Sequence, residues 1–357
     1  MLYTDTIMYK EIVEQPKVLS RLLQNNDGLL SKIVESVREK KITQIVVGAR
    51  GSSANAGTYF AYLAEIFTHY PIKMLSPSVI TNYNGAIALD KSLVIGISQS
   101  GRAEDILCCL QKAKQDGSIT LAITNDESSP IANEADFHLY LNAGKEESVA
   151  ATKTVTSQMY LLLLLVLYLS NDPLLINAPE HIVNGVEQTI SNSQVIAQYA
   201  QNFVNTQDIF VLARGLNFAV AKETALKLAE TSYIKANAFS VAEFKHGPYA
   251  MIDPNATVLV LAPIGQTQSE VLQMAQKCKQ DGAKVTIISN KNKEQNEQQN
   301  DTYSPQVEYN LLIPNGTDIE TPFYNLVTAQ LLANAISTAK ELNPDKPRGL
   351  KKVTITK

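Results

Sequence analysis

The sequence predicts an α/β protein: two tandem domains, each a doubly wound parallel sheet, followed by an irregular C-terminal tail. Three observations predict it. First, the chain repeats itself. Ile45–Gly51, "IVVGARG", returns as "IFVLARG" at Ile209–Gly215, and Val94–Gly101, "VIGISQSG", returns as "VLVLAPIG" at Val258–Gly265, both about 164 residues on. Further along, "KQDGSITLAIT" returns as "KQDGAKVTIIS" at an offset one residue larger, and matches at so constant a spacing mark a duplicated domain. Second, within each copy short β-branched runs alternate with longer helical patterns, as strand–helix–strand units do. Third, 357 residues suffice for two medium domains with separate cores.

The elements follow in order. Residues 1–30 form an N-terminal helical segment, 31–170 the first domain, 195–340 the second and 341–357 the tail. "QIVVGA", "SLVIGIS" and "SITLAIT" are continuous apolar runs, suited to strands covered on both faces. "SSANAGTYFAYLAEIF" and "RAEDILCCLQKAKQDG" carry apolar residues at helical spacing between them. Tyr160–Leu169, "YLLLLLVLYL", reads as a helix hydrophobic on all sides, too short to span a bilayer and therefore buried in a core or a subunit contact. Asn290–Ser304 is polar and of low complexity, a solvated loop. "ELNPDKPRGLKKVTITK" has two prolines and no helical period, so an ordered irregular strap is expected.

Bulk composition narrows the function. With 45% hydrophobic and 18% charged residues and a net charge of −4, the chain has the balance of a soluble globular protein. It offers no broad attraction for nucleic acid or an anionic membrane. Cys108, Cys109 and Cys278 are an odd number without zinc spacing, pointing to reduced thiols in a cytoplasmic protein, with Cys108 and Cys109 serving packing. No secretory pattern opens the chain. The four histidines, His69, His138, His181 and His246, are scattered, so no metal site is expected.

In doubly wound sheets ligands bind at the carboxyl ends of strands. Here those positions read "ARGSSANAG" and "SQSGRAED". Ser52, Ser53, Ser98 and Ser100 supply hydroxyls, Gly51 and Gly101 allow close backbone approach, and helix N-termini add partial positive charge, a combination suited to phosphate. Neither a Walker loop nor a dinucleotide fingerprint is present. Serines there also serve simply as helix caps. The repeat sharpens the contrast: Ser52 and Ser53 correspond to Leu216 and Asn217, and Ser98 and Ser100 to Ala262 and Ile264. The first copy is therefore expected to bind phosphate and the second to serve another purpose.

The second copy carries acid–base groups. Glu223, Lys227 and Glu230 in "KETALKLAETSYIKA" share one helix face, and His246 follows in "EFKHGPYAMID" on a loop fixed by Gly247-Pro248. Singly, Glu223 and Lys227 read as an ordinary surface pair and His246 as structural; together they suggest chemistry.

"SQSG", "ALKLAETSYIKANAFSVAEFKHGP" and "DKPRGLKKVTITK" resemble the sugar isomerase (SIS) superfamily, whose domains are flavodoxin-like. They are most similar to the isomerase half of glutamine–fructose-6-phosphate aminotransferases. The resemblance covers nearly the whole chain. A chain that starts Met-Leu leaves no room for the aminotransferases' glutaminase domain, so it also resembles the stand-alone glucosamine-6-phosphate deaminases, fructosamine-phosphate deglycases and ketose/aldose isomerases. The resemblance implies that Glu230 moves a proton between C1 and C2, His246 helps open the sugar ring across a homodimer interface, and Lys352 forms a Schiff base. Lys227 assists at the developing enolate oxygen. Substrate binding falls on Gly51, Ser52, Ser53, Ser98, Gln99, Ser100 and Ala103, and on Val149 and Ala150 of "ESVAATK". Arg102-Ala103 replaces an acidic residue and a threonine common after SQSG, and Ala151 replaces a serine. The reaction implied is glucosamine 6-phosphate and water to fructose 6-phosphate and ammonia, without cofactor. A deglycase or ketose/aldose isomerase is the near alternative. A sugar-phosphate sensor is the alternative of another class, though such sensors usually accompany a helix-turn-helix.

Overall fold

A computed structural model describes residues 2–290 and 311–352. Three helices open the chain, α1 (Ile7–Val13), α2 (Gln15–Asn25) and α3 (Asp27–Glu39). There follow β1 (Gln44–Ala49), α4 (Gly51–Phe67), β2 (Ile72–Met74), α5 (Pro77–Thr81), β3 (Ser92–Ile97), α6 (Glu104–Gln115), β4 (Ile119–Thr124), α7 (Pro130–Glu134), β5 (Phe137–Tyr140) and α8 (Lys153–Ser170). The second half contributes α9 (Ala178–Ser191), α10 (Ser193–Tyr199), β6 (Asp208–Ala213), α11 (Asn217–Ser232), β7 (Lys235–Ser240), α12 (Val241–Lys245), β8 (Thr257–Leu261), α13 (Gln268–Gln280), β9 (Lys284–Ser289), β10 (Leu311–Leu312) and α14 (Thr321–Ala339). The described residues form two compact units: the first holds 14–147, 151–180 and 351–352, the second 2–13, 148–150, 181–290 and 311–350.

The first unit is a parallel sheet in the order β2-β1-β3-β4-β5. The strand order reverses between β1 and β3, which pair from Gln44↔Ser92 to Ala49↔Ile97, so their carboxyl ends finish level with one another. Alternation assigns the faces. Val46 and Val94 pack under Ile106 and Leu110 of α6, while the neighbouring Val47 points at Gly57 of α4. The two helices that begin at the reversal therefore lie on opposite sides of the sheet.

The expected hydrophobic helix is present and longer than the apolar run. α8 starts at Lys153, because Thr156 and Ser157 return their hydroxyls to the carbonyls of Thr152 and Lys153 and so carry polar residues inside. At 18 residues it is long and apolar enough to cross a membrane, yet every residue from Lys153 to Val166 is buried. Cys109 is also buried, and burial pushes its thiol up to about 12, consistent with packing.

The second unit repeats the plan as β10-β9-β8-β6-β7, again parallel. Leu212, Val258 and Val260 form a core with Phe244 of α12 and Val271 and Met274 of α13. α11, the crossover from β6 to β7, packs instead against α14, which is buried from Thr321 to Ser337. α1 belongs to this unit: Thr6 donates to Asn334 Oδ1 at 2.8 Å, and Asn334 Nδ2 donates to the Tyr3 carbonyl at 2.9 Å. Of the expected loop from Asn290 to Ser304 only Asn290 is described; it is buried, and the remainder lies outside the described residues.

Candidate active site

The two serine-glycine loops of the first unit lie at its topological switch point, side by side above the carboxyl ends of β1 and β3. Gly51, Ser52 and Ser53 form the first turn of α4, with Ser53 buried. The Ser98–Gly101 loop is pinned from both sides: Ser98 N donates to Ile123 O, Gln99 O accepts from Asn125 N at 2.9 Å, and Gly101 N closes a turn onto Ser98 O. The backbone N–H groups of Gln99 and Ser100 have no partner among the described residues and remain available to a ligand. Ala103, half-buried, is the N-cap of α6, and exposed Arg102 turns away to Asp126 at 3.1 Å.

Gly101 permits this shape. Its φ is +63°, and a Cβ there would lie 2.0 Å from Ser129 Oγ, the hydroxyl that caps α7 by accepting from Ala132 N. Gly101→Ala combines about 1–2 kcal/mol of left-handed backbone strain with about 1 kcal/mol for the displaced cap. Chemical denaturation should show a loss of about 2–3 kcal/mol; an unchanged midpoint would exclude the tight approach.

The second copy closes the corresponding loop on itself. Ile264 N donates to Asn290 Oδ1 at 2.6 Å, and Gln266 N donates to Asp318 Oδ2 at 2.8 Å. The Asp318 carboxylate also packs where a side chain on Gly265 would go. Where the first copy leaves N–H groups open, the second supplies its own anion. The two copies therefore differ in their backbone donors as well as in their hydroxyls.

The surface reading of Glu223 and Lys227 is overturned. Both are 1% exposed. Lys227 Nζ lies 3.3 Å from Glu223 Oε1 and 2.5 Å from Glu230 Oε2. Burial alone would lower the amine, but the two carboxylates outweigh it and hold Lys227 above the ordinary lysine range. Glu230 remains partly accessible at 22%, the one open edge of the cluster. It touches an ammonium instead of the desolvating apolar pocket usual for a carboxylate acid.

His246 ends α12, followed by Gly247 at φ +156° and a 3₁₀ turn from Pro248 to Met251. Its exposed imidazole has no hydrogen bond among the described residues. Phe244 roots this loop among Phe210, Phe239 and Tyr249, on the α13 side of the sheet. α11 is a β6–β7 crossover on the other side. Glu230 and His246 are thus not brought together in one chain: the second sheet separates them.

The tail is an ordered strap as far as it is described. Asp345 accepts from Ile7 N and Met8 N, capping α1, and its carbonyl accepts from Val149 N at 3.1 Å. Ser148 N faces the buried Glu11 carboxylate, so Val149 and Ala150 are fixed from both sides. Arg348 N donates to Tyr233 Oη at 2.8 Å while its guanidinium stacks 4.3 Å over that ring. In the first unit, Lys352 Nζ lies 2.5 Å from Glu146 Oε2. Burial would raise Glu146, but Lys352 and the donors of Thr152 and Thr154 together hold it below the ordinary carboxylate range. Sequence reasoning missed Glu146, one residue before the quoted "ESVAATK", because nothing local distinguishes it from Glu147. It also passed over Arg50, although the "ARG" repeat contained it.

A SIS domain model matches residues 38–168 and again 202–338. The chain belongs to the SIS domain family. The glutamine–fructose-6-phosphate aminotransferase (isomerizing) of Aquifex aeolicus strain VF5 is 34% identical to it over 351 residues, covering 98% of this SIS chain and 57% of that enzyme. The chain thus spans less than two thirds of the curated relatives it matches. The C-terminal domain of glucosamine-fructose-6-phosphate aminotransferase from Francisella tularensis superposes with a TM-score of 0.83 at 28% identity, over 96% of this chain and 98% of that one. Glucosamine-6-phosphate deaminase from Thermotoga maritima shares the SIS fold, with a TM-score of 0.76 at 21% identity over 98% of this chain and 100% of that one.

Proposed function

We propose that this SIS protein is an amino-sugar phosphate isomerase, converting glucosamine 6-phosphate to the fructose imine, which water splits into fructose 6-phosphate and ammonia. The observation that carries the reading is the buried Glu223–Lys227–Glu230 cluster with its single accessible carboxylate. Isomerisation needs one base that takes hydrogen from C2 and returns it to C1 through an enaminol. Glu230, the accessible carboxylate beside Lys227, would serve as that base. The relatives support the substrate class, since the 34%-identical enzyme is named for fructose 6-phosphate, amino transfer and isomerisation. The open N–H groups of Gln99 and Ser100, with the neighbouring serines, suit the phosphate. Lys352, after giving a proton to Glu146 or to water, would add to C2 of the fructose imine and expel ammonia. This leaves a Schiff base whose C=N bond water hydrolyses to fructose 6-phosphate and the free amine.

Because a sheet layer separates His246 from Glu230 in one chain, His246 would serve the site of a second copy in a homodimer. Mixing His246→Ala and Glu230→Gln chains should then restore part of the activity that each lacks alone; no recovery would return His246 to its own subunit. The reaction itself is tested by ammonia release from glucosamine 6-phosphate, beside fructosamine 6-phosphates and unaminated ketose phosphates. Ammonia from glucosamine 6-phosphate alone is expected, and silence at high enzyme concentration would end the proposal.

A further inference from the structure

Both copies keep an arginine directly after their first strand, Arg50 after β1 and Arg214 after β6. Each reaches an acidic residue in the first turn of the helix that follows the third strand. Arg50 Nε lies 2.8 Å from Asp105 Oδ2 on α6, and Arg214 Nε lies 3.3 Å from Glu270 Oε2 on α13. The tie itself therefore belongs to the fold.

What differs is the far edge of the guanidinium. Arg214 donates its Nη1 to Ser240 Oγ at 3.1 Å. Ser76 occupies the matching position in the first copy, about 164 residues earlier, and makes no bond to Arg50. Neither terminal nitrogen of Arg50 has a partner among the described residues, although its Nε is fixed by a carboxylate only 1% exposed, and the side chain itself is 51% exposed. Arg50 precedes Gly51, and Asp105 follows the Ser98–Ala103 loop, so the guanidinium bridges the two loops across the switch-point crevice. The copy that closes its loop on Asn290 and Asp318 also spends its arginine on Ser240, whereas the copy with open N–H groups leaves its arginine open.

We propose that Arg50 is a direct phosphate ligand, presenting its two terminal amino groups to the sugar phosphate while Asp105 fixes the guanidinium through Nε. This rests on the reading of the first unit as the phosphate site, and it changes that site from one of neutral donors to one with a charge-assisted fork. The carboxylate partner leaves the pair without net charge, so the gain is directional: two parallel N–H donors matched to two phosphate oxygens.

Inorganic phosphate titrated calorimetrically into the full chain is the probe, read alongside KM for the sugar phosphate. Arg50→Ala should weaken both by the same factor, about 10- to 100-fold. Arg50→Lys keeps the charge and the reach to Asp105 but loses the fork; it should fall between the two and serves as the readout if the alanine variant does not fold. Wild-type binding with unchanged affinity in a folded Arg50 variant would overturn the role of Arg50 and leave the phosphate site standing. If the wild type binds no phosphate, the phosphate site fails and the inference goes with it.

Discussion

Glu230→Gln should bind sugar phosphate as tightly as the wild type and turn it over about 10²–10⁴ times more slowly. The amide keeps an oxygen for Lys227 to donate to, and Lys227 keeps Glu223, so the cluster loses its base without losing its shape. The decisive readout is hydrogen at C2. In deuterated water the wild type should wash substrate C2–H into solvent or pass it to C1, and proton NMR of the recovered sugar should show no such loss with the variant. Continued exchange at the wild-type rate would remove Glu230 from the proton-transfer role, whatever happened to kcat.

Lys227→Met should be among the most destabilising single changes in the chain. Methionine nearly matches the volume, so the loss is electrostatic: Glu223, 1% exposed, and Glu230 face each other without the ammonium between them. Breaking a buried ion pair from one side costs about 3–5 kcal/mol, and the partial access of Glu230 places this case near the lower figure. Against a total stability of about 5–15 kcal/mol that is a large share. The pH dependence follows from the sign of the Lys227 shift. A raised amine stabilises the fold fully below the ordinary lysine value of 10.5, and that stability is lost only as pH rises through the still higher folded value. Urea melts at pH 7 and pH 9 should therefore give the same deficit for the variant. A deficit already shrinking between those two values would mean that Lys227 is not held as an ammonium.

Much of the fold was legible because duplication writes it twice. β1, β3 and β4 coincide with the quoted apolar runs, and α4 and α6 with the helical patterns between them. The short edge strands were not legible: three residues in β2 and two in β10 carry too little pattern to stand out. α8 began seven residues before its apolar run because hydroxyls bonded to the helix's own carbonyls disguise polar residues as exposed ones. The paired loops were readable as serines and glycines at strand ends. Their difference from the second copy was readable only in part, since Asp318 reaches Gln266 from 52 residues away. The same holds for Glu146 and Lys352, far apart in sequence and joined by an ion pair that no spacing rule anticipates. Burial was the other hidden quantity. Glu223, Lys227 and Glu230 have the spacing of a common surface pattern, and only packing against α14 turns that pattern into an enclosed charge cluster.

The account depends on one event, the transfer of hydrogen from C2 to C1 of an amino-sugar phosphate. Glucosamine 6-phosphate carrying deuterium at C2 tests it most directly, with products analysed by mass spectrometry and ammonia counted in the same sample. The prediction is ammonia and fructose 6-phosphate in equal amounts, with the deuterium found at C1 of the product or in water. Full recovery of the labelled sugar, with no ammonia formed at enzyme concentrations near that of the substrate, would contradict it.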